Sequence, residues 1–115
     1  MQIGSGSDRI YFAKDSNTQN IFQLATQSSA GYNFINTANV TTSTVKMAIA
    51  YKSGQNAFYL NGTLISTASA TANPTSISQI VFGDPNFGNS QTIVKQALLF
   101  KTRLSNAELA ELTTL

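Results

Sequence analysis

TVKMAIAYKSGQNAFYLNGTLIST, residues 44–67, decides how this chain folds. Val45, Met47, Ile49 and Tyr51 alternate with Lys46, Ala48, Ala50 and Lys52. This is the cleanest period-2 pattern in the sequence, and period 2 is the signature of a strand. KSGQN (52–56) interrupts it as a turn. AFYL resumes it and runs into Asn61-Gly62. A two-residue hairpin needs φ > 0 at both central positions, which Asn and Gly tolerate best. The spacing predicts that residues 57–60 fold back antiparallel on residues 63–67, with Phe58 and Leu60 on the face opposite Tyr59.

On the N-terminal side, RIYFA (9–13) reads as a short strand, DSNTQN (15–20) as a turn cluster, and IFQLA (21–25) as the paired strand. Residues 27–31 turn again, 32–35 form a short strand, and 38–43 a polar loop. GSGS (4–7) makes residues 1–7 a flexible or turn-rich lead-in. On the C-terminal side, 68–76 reads as a long loop ending in Asn73-Pro74, 77–82 as a strand, and GDPNFGNSQ as a further turn region. IVKQALLF (93–100) is apolar on both faces, so a central or doubly covered strand is expected.

The last element has a different signature. Ser105 and Glu108 have the spacing of a capping box, and Leu104 and Leu109 that of a hydrophobic staple. A helix of about two turns is predicted from Asn106 to Leu112, docked on the sheet by Leu109 and Leu112. Closely spaced strands with turn signals between them, closed by this helix, predict an all-β antiparallel β-sandwich in a single domain, residues 1–115.

Composition narrows the function classes. The 115 residues contain no Cys and no His, and the net charge is +2. Disulfide frameworks, thiolate chemistry and Cys-based zinc sites are excluded. The seven basic residues are scattered, whereas a nucleic-acid binder clusters them, so no nucleic acid is expected as partner. No window has transmembrane length, and MQIGSGSDRI lacks the apolar core of a signal peptide, so no membrane insertion is expected. Ser, Thr, Asn and Gln make up 46 of the 115 residues. Such side chains solvate β-surfaces without salt-sensitive charge and offer donors and acceptors to a hydroxyl-rich ligand. The carboxylates are Asp8, Asp15, Asp84, Glu108 and Glu111 only. Glycoside hydrolysis needs two of them flanking one bond, and no strand carries closely spaced acids, so no enzyme is expected.

VKMAIAYKSGQNAFYLNGTLIST, then ISQIVFGD, IVKQALLF and LSNAELAELTTL, stand in an order that resembles the concanavalin A-like, laminin-G-like jelly-roll domains, especially those of phage tail-fibre and other virion proteins. The matching parts are a "kiA-Y" strand, a "Y-NG" hairpin, an "fG" strand end and a final strand followed by "Ls-aEl--Lt". They cover residues 45–115, whereas 1–44 fit loosely and correspond to an N-terminally shortened member. The resemblance implies a jelly-roll sandwich in a virion or extracellular setting. It implies a non-catalytic module that binds carbohydrate or another cell-surface receptor, or a capsid-decoration or fibre-assembly module with no glycan ligand. Other virion proteins are implied as partners. A shortened sandwich leaves a sheet edge bare. A homo-oligomer is therefore expected, a trimer where the chain sits on a fibre.

A sugar site needs a flat ring for the pyranose face and amides or hydroxyls around it. Phe87, flanked by Asn86, Asn89 and Gln91, has that composition, with Tyr32 as a second ring; an apolar ring at such a place is either presented as a platform or packed as a plug in the core or rim. Tyr59 is a third, better read as core packing. For metal, Asp84, Asn86 and Asn89 place oxygens in one loop, and laminin-G-like domains often carry calcium at a sheet rim. One carboxylate is thin for a hard divalent cation, and a Pro-Asn and Gly-Asn turn pair accounts for the residues without it. No cofactor is expected, Asp84 being the weak calcium candidate. Of the two Asn-x-Thr sequons, that at Asn61 is consumed by the hairpin turn, and no glycan is expected at Asn39 or Asn61.

Overall fold

The computed structural model describes residues 2–5, 8–14, 21–37, 39–52, 55–68, 74–76, 80–81 and 93–115. These residues are mostly β, in two antiparallel sheets with one short helix. The first sheet contains β1 (Gln2–Ser5), β2 (Asp8–Lys14), β3 (Phe22–Ser28), β4 (Gly31–Asn36) and β8 (Ile80–Val81), in the order β4-β3-β2-β1-β8. The second contains β5 (Met47–Ala50), β6 (Asn56–Leu60) and β7 (Thr63–Ala68), in the order β5-β6-β7. Helix α1 spans Asn106–Thr113.

The predicted hairpin is present. Ala57 lies opposite Thr67 and Leu60 opposite Thr63. Asn61 has φ 47° and Gly62 φ 80°, the two left-handed residues this turn requires. The Asn61 side chain contributes further, its Oδ1 accepting from Lys46 N at 2.9 Å while Asn61 N donates to Lys46 O at 2.9 Å. One extra β7 residue, Ile65, falls between the Phe58–Ser66 and Tyr59–Leu64 pairs, making a bulge.

Central position explains why β6 is buried at all five residues. Ala48, Ala50, Ala57 and Tyr59 share the face under α1, where they cluster with Leu109 and the partly buried Leu104 and Ala110. The helix thus lies over small side chains, which let its axis approach closely. Phe58 and Leu60, on the opposite face as predicted, are also buried.

The capping box is complete. Ser105 Oγ accepts from Glu108 N, and Ser105 N donates to Glu108 Oε2 at 2.7 Å. Leu109 anchors the helix as expected, but Leu112 is exposed and the second buried position is Thr113. Its hydroxyl donates to Leu109 O at 2.8 Å and accepts from Gly62 N at 3.1 Å, which pulls that side of the helix onto the Asn-Gly turn.

Other expectations need correction. Residues 2–5 of the supposed flexible lead-in form β1, paired with β2 on one side and β8 on the other. The Ser and Gly residues there looked like a linker, but Gly4 and Ser5 sit opposite Arg9 and Asp8 in a hairpin. Asn56 is not the end of a turn but the first residue of β6, buried, with Oδ1 accepting from Lys52 N at 3.0 Å. Residues 93–100 form no strand, and all eight are exposed. Alternation reports what a segment can bury, whereas a strand also needs a neighbouring row of N–H and C=O groups. None of the described strands runs beside this segment.

Candidate functional site

Two connections lie at one end of the five-stranded sheet, that between β1 and β2 and the turn between β3 and β4. The register lines up Gly4, Arg9, Gln27 and Tyr32 across β1, β2, β3 and β4 just inside that rim. Arg9 Nε donates to Gln27 Oε1 at 2.6 Å, which fixes the plane of the guanidinium. Its Cζ lies 5.6 Å from the centroid of the Tyr11 ring, within cation–π range. The ring is buried while Arg9 and Gln27 are half-buried, so an apolar floor carries a polar top.

The rim itself is polar and open. Ser29, Ala30 and Gly31 are exposed, and Ala30 N donates to Ser28 Oγ at 3.2 Å, which tightens the turn. Gly31 has φ 144°, a conformation that L side chains avoid. On the other side of Arg9, Asp8 Oδ2 accepts from Thr75 Oγ1 at 3.0 Å. Asp8 Oδ1 is buried without a hydrogen-bond partner among the described residues.

Arg9 Nη1 and Nη2 and Gln27 Nε2 have no acceptor among the described residues. A planar fork of donors fixed over an aromatic ring can pair with neighbouring hydroxyls or with a carboxylate. The sequence reading missed Arg9, Tyr11 and Gln27. They lie on two strands, and only the β2–β3 register joins them.

Of the sequence-predicted site residues, Tyr32 sits on β4 opposite Gln27, its side chain outside the described part. Asn86, Phe87, Asn89 and Gln91, together with Asp84, lie outside the described residues. Tyr59 is buried in the core cluster, as its core reading requires. Asn61 is committed to the hairpin turn. Among the described residues, no three His, Cys, Asp or Glu side chains come together as a metal site. No helix among them is long and apolar enough to cross a membrane.

No family model and no curated protein matches this chain. Among solved structures, it is similar to the crystal structure of an S-layer domain-containing protein (residues 221–444) from Clostridium thermocellum ATCC 27405. The identity is 17% and the TM-score 0.47. The match takes in 94% of this chain and 57% of that one, so the chain spans little more than half of the structure it resembles.

Proposed function

We propose that this chain is a non-catalytic recognition module, a jelly-roll β-sandwich of the concanavalin A-like or laminin-G-like kind, working on a virion or otherwise outside the cell. Its ligand is a glycan or another hydroxyl- and carboxylate-bearing component of a cell surface. One observation carries the reading: the Arg9 guanidinium is oriented by Gln27 at 2.6 Å and lies 5.6 Å from the Tyr11 ring centroid, with donors that no described residue accepts. The uncharged polar surface supports it, because such a surface meets sugars without a salt-dependent penalty. Phe87, with Asn86, Asn89 and Gln91 beside it in sequence, has the composition of a sugar-stacking ring with amide partners and belongs to the same reading.

The test is a glycan array probed with the labelled protein, beside its Arg9→Ala and Phe87→Ala variants. Binding that weakens at least about tenfold in Arg9→Ala supports the rim site, since a charge-assisted hydrogen bond contributes ~1.5–3 kcal/mol. An array with no hits removes the glycan reading. Hits unaffected by Arg9→Ala but lost in Phe87→Ala move the site to the 86–91 loop. A structural role in fibre or capsid assembly is the second reading, favoured by the exposed apolar segment 93–100.

A further inference from the structure

Residues 93–100 are eight consecutive exposed residues in no helix or strand. None of them hydrogen-bonds to a described residue. Ile93 is 88% exposed, and Val94, Leu98, Leu99 and Phe100 are between 42% and 59% exposed. The segment carries one cation, Lys95, and no acid. Its C-terminal end is fixed. Arg103 Nε donates to Gln55 O at 2.9 Å, Nη2 to Asn106 Oδ1 at 2.8 Å, and Leu104 packs on the helix–sheet cluster. A firmly anchored apolar ribbon, apolar on both faces, is thus held in water beside the three-stranded sheet.

That sheet has an edge, the four residues of β5, with no partner among the described residues. The bonds Asn61 N to Lys46 O and Gln55 N to Lys52 O set the β5–β6 ladder. With the register Met47–Leu60 through Ala50–Ala57, they turn the N–H and C=O groups of Ala48 and Ala50 toward β6. Those of Val45, Met47, Ile49 and Tyr51 point outward. No described residue pairs with this outer edge. The strand contains no Pro, and the bulge that twists an edge away lies on the opposite side of the sheet, at β7. Lys46, the nearest edge cation, is already engaged, its Nζ donating to Thr114 O at 2.6 Å.

We infer that a second copy of this chain covers the β5 edge by adding its 93–100 segment as a strand. Each copy carries both the donor strand and the acceptor edge, so exchange is self-complementary. It closes as a two-fold pair when reciprocal, or as a ring when passed in one direction. The exposed side chains of one segment amount to roughly 500 Å² of apolar surface, and a comparable area on the receiving edge is covered with it. A reciprocal two-fold pair contains two such junctions, roughly 2,000 Å² in all and within the range of stable interfaces, whereas each interface of a one-way ring contains one. A net charge of +2 puts little repulsion in the way. The inference is independent of the glycan reading, and a chain that binds no sugar can still associate this way.

The experiment is sedimentation equilibrium on the whole chain at micromolar concentration, combined with amide hydrogen exchange. The native chain is expected to be oligomeric, with amides of 93–100 protected in the oligomer and exchanging freely on dilution. Leu99→Lys adds charge to an exposed position, so the monomer keeps its fold while the dissociation constant rises at least about a hundredfold. Met47→Pro removes an outward N–H and no bond to β6, and it is expected to block association from the acceptor side. A native chain that stays monomeric overturns the inference, whether or not 93–100 is protected; protection there would mean that the segment docks within its own chain. An oligomer that withstands Leu99→Lys overturns it as well.

Discussion

Replacing Gly62 with Ala tests the junction on which the second sheet and the helix both depend. Gly62 has φ 80°, and an L-residue held in the left-handed region costs about 1–2 kcal/mol. A Cβ at this position would stand 3.0 Å from Thr114 Oγ1 and 3.6 Å from Ala110 O. The threonine hydroxyl can swing away only by giving up its 2.9 Å bond to Ala110 O, a further ~1 kcal/mol. Gly62→Ala should therefore cost about 2–3 kcal/mol and lower the melting temperature by roughly 10 °C for a domain of this size. Urea unfolding followed by circular dichroism measures it, with the midpoint moving and the slope unchanged. In a Thr114→Ala background, the same glycine replacement should cost about 0.5–1 kcal/mol less, because the crowding atom is gone. A Gly62→Ala chain as stable as the parent would refute the left-handed turn. Full additivity of the two changes would refute the helix–turn contact.

Four further outcomes are expected. Ser105→Ala removes the N-cap acceptor for Glu108 N and should lower stability by about 1 kcal/mol in the same urea assay. The hydrogen bonds from the Ser105 hydroxyl, and then from its backbone N–H, hold the Glu108 carboxyl below the ordinary glutamate range. Its contribution is thus full above the ordinary unfolded glutamate value and is lost as pH falls through the lowered folded value; Glu108→Gln should flatten the stability–pH curve in that acid range. Asn56→Ala removes the acceptor of the Lys52 N–H together with a buried side chain and should cost about 0.5–1.5 kcal/mol, read by thermal melting. Leu24→Ala, at a fully buried position of β3, should cost about 2–5 kcal/mol by the same measurement.

Local chemistry made some parts of this fold legible in the sequence. The Asn61-Gly62 turn rests on the backbone freedom of two adjacent residues and the Ser105–Glu108 box on groups three residues apart, so their spacing was enough to locate them. Strands β2, β3 and β4 were readable because turn residues bracket short apolar runs. What escaped depends on partners far along the chain. Gln2–Ser5 becomes a strand because β2 and β8 flank it, and nothing in GSGS announces that. Thr113 replaces Leu112 as the docking residue because Gly62 N, 51 residues away, donates to its hydroxyl. Residues 93–100 have strand-like side chains without a described strand beside them, a difference that period-2 counting cannot detect. The candidate rim was hidden for the same reason: Arg9 and Gln27 are 18 positions apart and meet only through register.

The helix is tied to the Asn-Gly reversal by the hydroxyl of its last residue, Thr113, and its C-cap Thr114 is tied through its carbonyl to the ammonium of Lys46, the residue that pairs with Asn61. Each pairing inside the β5–β6–β7 meander closes over a short stretch of chain, whereas α1 reaches the same meander across about fifty residues. Losing the helix contacts would bare the alanine-lined floor without breaking a strand pairing.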